Sequence, residues 1–177
     1  LAQQSHAAPG RDRVVGRIDA FLRLSRPKTP KPETIRLDAF LNNLVEILRH
    51  EAADRGVQLK LDAPEFSIQA DPELLRQAVF NLMINALHAC QKNDLVLVTA
   101  KQSGDTVCVV VRDTGCGIQA DDLPHVTEPY FSRFPGGAGL GLALVEEAAA
   151  ASGWQLRITS EPGRGTEVSL DGMCAIG

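Results

Sequence analysis

Four short stretches of this 177-residue chain combine residue types and spacings that could do chemistry. In NLMINALHA, Asn81 and Asn85 stand at i and i+4 with His88 one turn on, so a helix through the run lines them up on one face among apolar neighbours. A single asparagine there needs no more explanation than a satisfied core amide or an exposed residue. Two in line, with a histidine, suit a magnesium ion that takes few protein ligands and completes its shell from phosphates and water. In RDTGCGI, Asp113 ends a strand-like run and is followed by Gly115 and Gly117. A tight turn accounts for the glycines. A carboxylate accepting a hydrogen bond from an exocyclic amine, beside glycines that let a flat ring lie on the backbone, accounts for all three residues. Such a charge-assisted bond contributes roughly 1.5–3 kcal/mol.

The third stretch, EPYFSRFPGGAGLGL, holds Tyr130, Phe131 and Arg133 ahead of Gly137, Gly139 and Gly141, and leads into a helical run. A glycine-rich turn that feeds a helix N-terminus suits a phosphate, because unobstructed N–H groups and the helix dipole both favour an anion. Neither common phosphate loop is present. Gly136 and Gly141 have the Walker spacing, but Leu142 and Ala143 occupy the lysine and hydroxyl positions, and G-x-G-x-G differs from the dinucleotide fingerprint. The remaining parts of a phosphate site must therefore come from elsewhere in the chain. In the fourth stretch, EPGRGTEVSL, a turn and strand place Thr166 within reach of a ligand, although a plain hairpin also explains it.

The elements that must hold these residues follow from periodicity. Residues 1–10 have no pattern and read as a disordered end or a cloning remnant, and Val14, Val15, Ile18, Phe21 and Leu22 form one stripe of a helix over 11–26 that Pro27 stops. Residues 27–36, with three prolines in a basic stretch, predict a linker and a domain boundary. Leu37, Phe40, Leu41, Leu44, Val45 and Leu48 predict a helix that Gly56 ends, followed by strands at VQLKL and FSIQA. Asp71-Pro72 is an N-cap with proline at the first helical position, leading into the asparagine-bearing helix. LVLVTAK and TVCVVVR read as a hairpin around QSGD, and WQLRIT and GTEVSL as a second around SEPGRG. The expectation is a two-layer α+β sandwich spanning 37–172, with a mixed sheet of about five strands against three helices, a long loop before the last helix, and a tail at 173–177.

With 44% apolar residues the chain can bury a proper core, and a formal net charge of -4 argues against nucleic acid as a partner. The four cysteines include no C-x-x-C pair, which fits reduced thiols in a cytoplasmic protein. No run reaches the roughly 18 consecutive apolar residues of a membrane span, so the expectation is a soluble piece.

Taken in order, the four stretches resemble the catalytic ATP-binding domain of bacterial two-component sensor histidine kinases, in the superfamily that includes gyrase, chaperone and mismatch-repair ATPases. NLMINA resembles the N box, DTGCGI the first glycine box, PYFSRF the F box, GGAGLGL the second glycine box and EPGRGTEVSL the closing strand, over about residues 37–170. FLRLSRP is similar to the end of the second dimerisation helix in nitrogen-regulation type kinases. The resemblance implies ATP and Mg2+ as ligands, a mobile lid over residues 119–139, and metal at Asn85 with Asn81 supporting it in a catalytic role. It further implies Asp113 on the adenine amine, with Gly115, Gly117, Ile118 and Thr166 completing the base pocket, and His88 or Arg133 on phosphate oxygens. Tyr130, Phe131, Gly137, Gly139, Leu140, Gly141 and Leu142 complete the expected ATP-binding set.

Hydrolytic members of the superfamily carry glutamate four residues before the magnesium asparagine, where this chain has Asn81, and an amide is no general base at neutral pH. Phosphoryl transfer to a histidine brings its own nucleophile and asks the protein mainly for positioning. The implied function is therefore kinase action on a histidine of the protein's own dimerisation domain, for relay to a response regulator, with cytoplasmic location either free or below a membrane anchor. His6 lacks the acceptor-box context, so the phosphoacceptor is expected outside this chain, the isolated piece to be a non-autophosphorylating monomer, and the full-length protein a homodimer. The lid departs from the family pattern at Ser132, Arg133, Phe134 and Ala138, and Trp154 stands at a frequent glycine. The alternatives are an anti-sigma type serine kinase and a non-catalytic nucleotide-sensing module.

Overall fold

The computed structural model describes residues 29–134 and 137–176. The elements run β1 (Glu33–Arg36), α1 (Leu37–Arg55), β2 (Gln58–Asp62), β3 (Ser67–Ala70), α2 (Pro72–Ala89), β4 (Leu95–Ser103), β5 (Thr106–Asp113), a 3-10 turn (Leu123–His125), α3 (Gly141–Ser152), β6 (Gln155–Glu161) and β7 (Gly165–Ile176). Asp71 caps α2 as its position predicts, its Oδ1 accepting the Glu73 N–H at 2.8 Å and the Leu74 N–H at 3.1 Å, with Pro72 in the first turn. β4 and β5 form the expected hairpin, with Ser103 opposite Thr106 across the Gly104-Asp105 turn.

The sheet is mixed and has seven strands among the described residues, in the order β1-β3-β7-β5-β4-β2 with β6 also on β7. Only β2 and β4 run parallel. β7 organises the sheet. One of its edges pairs with β5, while the other pairs first with β6 over Gly165–Asp171 and then with β3 over Cys174–Ile176. The core is one cluster, with α1 contributing Leu41, Leu44 and Leu48, α2 Leu75, Val79, Leu82 and Met83, and α3 Val145 and Ala148 against Val96, Val98, Val109, Val111 and Leu170 of the sheet. The two-layer α+β expectation with three helices agrees with this arrangement.

Three sequence-based expectations are corrected or left aside. The sheet exceeds the expected five strands because β1 forms inside the stretch read as linker 27–36. Its backbone pairs with β3, Ile35 opposite Ile68, and Ile35 is buried, so a proline-bounded segment still gains a sheet edge. The expected tail 173–177 is strand through Ile176, with Met173 fully buried. The expected helix over 11–26 and the patternless residues 1–10 lie outside the described residues.

Candidate functional site

Along β5 the alternation that buries Val107, Val109 and Val111 carries straight on to Asp113, so the strand delivers a carboxylate to a core-facing position. Asp113 is 5% exposed. Its Oδ1 accepts the Gly115 N–H at 2.8 Å and the Thr166 N–H at 3.3 Å, and Oδ2 has no hydrogen-bond partner among the described residues. Burial pushes the Asp113 carboxyl above its ordinary range, the nearby Asp94 adding to this and the two backbone N–H bonds opposing it. The following turn is fixed from both sides: the Cys116 N–H donates to Ala89 O at the end of α2 (3.0 Å), and the Gly163 N–H of the β6–β7 turn donates to Cys116 O (2.8 Å). Gly117 sits at φ 67 with the Glu161 carbonyl where a Cβ would be, so no other residue fits.

The opposite wall comes from β6 and β7. Thr166, which pairs with Asp113 across the β5–β7 ladder, is 9% exposed and faces the same space. Behind it Ser160 accepts the Ile118 N–H at 2.8 Å and contacts Gly165 O at 3.0 Å and Thr166 Oγ1 at 2.8 Å. Sequence reasoning missed Ser160. The signal was present, because Leu156, Ile158 and Ser160 alternate inward along β6 and a hydroxyl ends an otherwise apolar row.

On α2, Asn81 donates through Nδ2 to Gln77 O at 2.7 Å, while Asn85 has no hydrogen-bond partner among the described residues. The start of α3 lies directly against Asn85, since a Cβ on Gly141 would fall 2.8 Å from its Oδ1. No cluster of three or more His, Cys, Asp or Glu residues that could hold a metal occurs among the described residues. A single neutral oxygen of this kind fits an ion whose other ligands arrive with a nucleotide, and it does not fit a resident all-protein metal site. His88 is exposed and meets the Phe134 ring edge-on with centroids 6.5 Å apart. Desolvation first, and then the Arg55 charge, hold its pKa below the ordinary value against an opposing pull from Glu51.

The loop between β5 and α3 closes over this space. Arg133 forms a two-pronged pair with Asp122, Nε to Oδ2 at 3.0 Å and Nη2 to Oδ1 at 2.6 Å, and stacks 5.6 Å from the Phe131 ring centroid. Within the loop, the Tyr130 N–H donates to Gly139 O at 2.7 Å, tying its middle to the residues just ahead of α3. The result is a cavity of about 370 Å3 that brings together Asn81, Asn85, His88, Asp113, Gly117, Ile118, Phe131, Arg133, Gly137, Gly139, Gly141, Leu142 and Thr166. Three expected residues do not line it. Gly115 lies behind Asp113 as a donor to its carboxylate, Leu140 is buried at 4% exposure under α3, and Tyr130, at φ 70, is 47% exposed. Gln119 and Asp122, within the expected lid but outside the expected ATP-binding set, also line the cavity.

A mixed sheet under three helices, with a carboxylate-floored cavity capped by a glycine-rich helix start, defines the chain as a nucleotide-binding α+β sandwich. The model of the "Histidine kinase-, DNA gyrase B-, and HSP90-like ATPase" family matches residues 70–171, and the chain belongs to that family. Its relatives include the sensor histidine kinase ZraS of Escherichia coli K12, 33% identical over 161 residues that make up 90% of this chain and 35% of that protein. The sensor-like histidine kinase SenX3 of Mycolicibacterium smegmatis is 31% identical over 171 residues, 89% of this chain and 44% of that protein. The chain thus spans less than half the length of these relatives. Full-length ShkA in complex with AMPPNP shares the fold with a TM-score of 0.82 at 24% identity, covering 98% of this chain and 41% of that one. The mycobacterial sensor histidine kinase MprB does so with a TM-score of 0.71 at 23% identity, covering 82% of this chain and 97% of that one. No helix among the described residues is long and apolar enough to cross a membrane.

Proposed function

We propose that the cavity binds ATP with magnesium and presents the γ-phosphoryl group to a histidine on a dimerisation domain of the same protein, from which it passes to a response regulator. The observation that carries this reading is the convergence of the four chemically distinctive stretches on one cavity: Asp113 and Thr166 at one end, Asn85 and the start of α3 at the other, and the loop carrying Phe131 and Arg133 across the top. Adenine lies over Gly117, with its amine donating to the open Oδ2 of Asp113. The phosphates extend to the N–H groups at the start of α3, where the helix dipole favours negative charge. Asn85 Oδ1 would hold magnesium brought in with the nucleotide, and the ion would supply charge neutralisation there.

In the transfer, an imidazole nitrogen of the acceptor forms a bond to the γ-phosphorus as the bond to the β,γ-bridging oxygen breaks, and ADP leaves with that electron pair. Asn81 favours transfer over hydrolysis: its Nδ2 is committed to Gln77 O, and its carbonyl oxygen is too weak a base to activate water. The magnesium requirement, the regulator partner, the nitrogen-regulation subtype and a dimerisation-helix tail at residues 11–26 belong to this proposal. The relatives named as sensor histidine kinases support it.

Calorimetric titration of a non-hydrolysable ATP analogue with magnesium tests the binding step, and saturable one-to-one binding is expected. Addition of the dimerisation domain in trans with radiolabelled ATP tests the transfer. Acid-labile, base-stable label on that domain supports kinase action, whereas binding without transfer leaves a nucleotide-sensing module.

A further inference from the structure

We infer that Ser160, which does not itself line the cavity, sets the purine specificity of the site by fixing the proton of the Thr166 hydroxyl. This rests on the reading of the cavity as an adenine nucleotide site.

The argument is proton bookkeeping at one oxygen. Ser160 Oγ has one hydrogen and two lone pairs. The Ile118 N–H, 2.8 Å away, can only donate, so it takes one lone pair. The Gly165 carbonyl, 3.0 Å away, can only accept, so the Ser160 hydrogen goes there. Were that hydrogen turned to Thr166 instead, two lone-pair oxygens would face each other at 3.0 Å with no proton between them. The third contact, 2.8 Å between Ser160 Oγ and Thr166 Oγ1, is then made by the Thr166 hydroxyl donating to the remaining lone pair. Ser160 is saturated, and Thr166, a residue of the cavity wall, has only lone pairs left on Oγ1 to offer a ligand.

Asp113 and Thr166 are directly opposed across β5 and β7, and the carboxylate takes the Thr166 N–H on Oδ1. The polar end of the base pocket is therefore an acceptor-only wall made of Asp113 Oδ2 and Thr166 Oγ1. An adenine amine, with two hydrogens, satisfies both. A 6-keto purine does not. Its N1–H could still donate to Asp113, so the carboxylate alone discriminates incompletely, but its O6 would then meet the lone pairs of Thr166 Oγ1. Rejecting that isostere depends on the hydroxyl being unable to turn round, and Ser160 prevents the turn. Ser160 is thus a positioning residue, acting on the base through Thr166.

The test is the ratio of dissociation constants for MgATP and MgITP, measured by calorimetry on the parent, Ser160→Ala and Ser160→Thr. The parent is expected to favour ATP by roughly tenfold to a hundredfold, the scale of one mismatched polar contact. Ser160→Ala frees the Thr166 hydroxyl to donate, so the ratio should narrow about fivefold or more, mainly through tighter ITP. Ser160→Thr keeps the hydroxyl and should keep the parent ratio. Equal weakening of both nucleotides in Ser160→Ala, with the ratio unchanged, would mean that Ser160 only supports the turn, and overturns the inference. If Ser160→Ala does not fold, Thr166→Val serves: removing the acceptor should narrow the ratio by loss of ATP affinity, and an unchanged ratio is equally fatal. A parent that binds neither triphosphate overturns the nucleotide reading, a result distinct from ATP binding with an unmoved ratio.

Discussion

Gly141, the first residue of α3, packs its Cα directly onto the carboxamide of Asn85 on α2, so that a methyl group there would stand 2.8 Å from Oδ1 and 3.0 Å from Nδ2. The contact explains a glycine that opens a helix. Its φ is not in the left-handed region, so alanine is sterically permitted by the backbone and improves helix propensity by up to about 1 kcal/mol. The methyl group, however, displaces the Asn85 side chain, which is proposed to meet magnesium. Gly141→Ala should therefore leave the melting temperature equal or higher while weakening MgATP by roughly tenfold or more, a loss of about 1.4 kcal/mol or more. Titrations with and without magnesium check it, since the deficit should shrink when the metal is left out.

Asp113→Asn separates stability from binding in the same manner. The folded-state pKa of Asp113 is raised by burial, so its stabilising contribution is complete only below the unfolded value and is lost as pH rises through the folded one. Ionising the buried carboxyl therefore burdens the fold. The amide removes that burden and can still accept from Gly115 and Thr166 through its oxygen, but it turns an NH2 toward the amine of adenine. The expected outcome is unchanged or higher thermal stability at pH 7 with ATP affinity down roughly tenfold to a hundredfold. A melting temperature that falls on substitution would contradict the assigned direction of the pKa shift.

How far the sequence disclosed all this depends on whether the deciding feature is local. The Asp71-Pro72 start of α2, the SGD hairpin and the i, i+4 asparagines are local, and each stands where its residues placed it. The β1 edge was hidden because three prolines signal a linker, while what makes Glu33–Arg36 a strand is β3, found over 30 residues further on. The surroundings of His88 were hidden for a similar reason. Spacing put it in line with the asparagines, but its lowered pKa comes from desolvation and from Arg55 of α1, across the helix layer. Ser160 sat in a legible alternation, yet its importance comes from three partners in two other segments, the loop after β5 and the start of β7. The Arg133–Asp122 pair spans 11 residues of irregular loop, for which no periodicity exists to be read.

That pair bears on phosphate affinity. Arg133 is the lid's candidate cation for the terminal phosphate, but here both prongs of its guanidinium are taken by Asp122, a carboxylate that lines the same cavity. In the proposed nucleotide complex, phosphate and Asp122 would compete for one cation. Asp122→Asn should release Arg133 and tighten ATP about two- to fivefold, with little change for adenosine, which has no phosphate to gain from it. The gain should fade at high salt because the Arg133 side chain is largely solvent-exposed. An equal improvement for adenosine would point to a rearranged base pocket instead.

Asp71 holds more than its helix. Oδ1 caps α2 through the Glu73 and Leu74 N–H groups, and Oδ2 accepts the Lys31 N–H at 2.8 Å, fastening the chain just ahead of β1 to the start of the helix that carries Asn81 and Asn85. Loss of an aspartate cap alone destabilises by about 0.5–2 kcal/mol, and release of residue 31 adds to it. Asp71→Ala is therefore expected at the upper end of that range in chemical denaturation, with faster amide hydrogen exchange over Lys31–Arg36 as well as over the first turn of α2. Nucleotide affinity should stay within about twofold, because the asparagines lie more than two turns further along a helix whose Leu75, Val79, Leu82 and Met83 remain packed in the core. Exchange confined to the helix terminus would show that Oδ2 contributes nothing to holding the segment before β1.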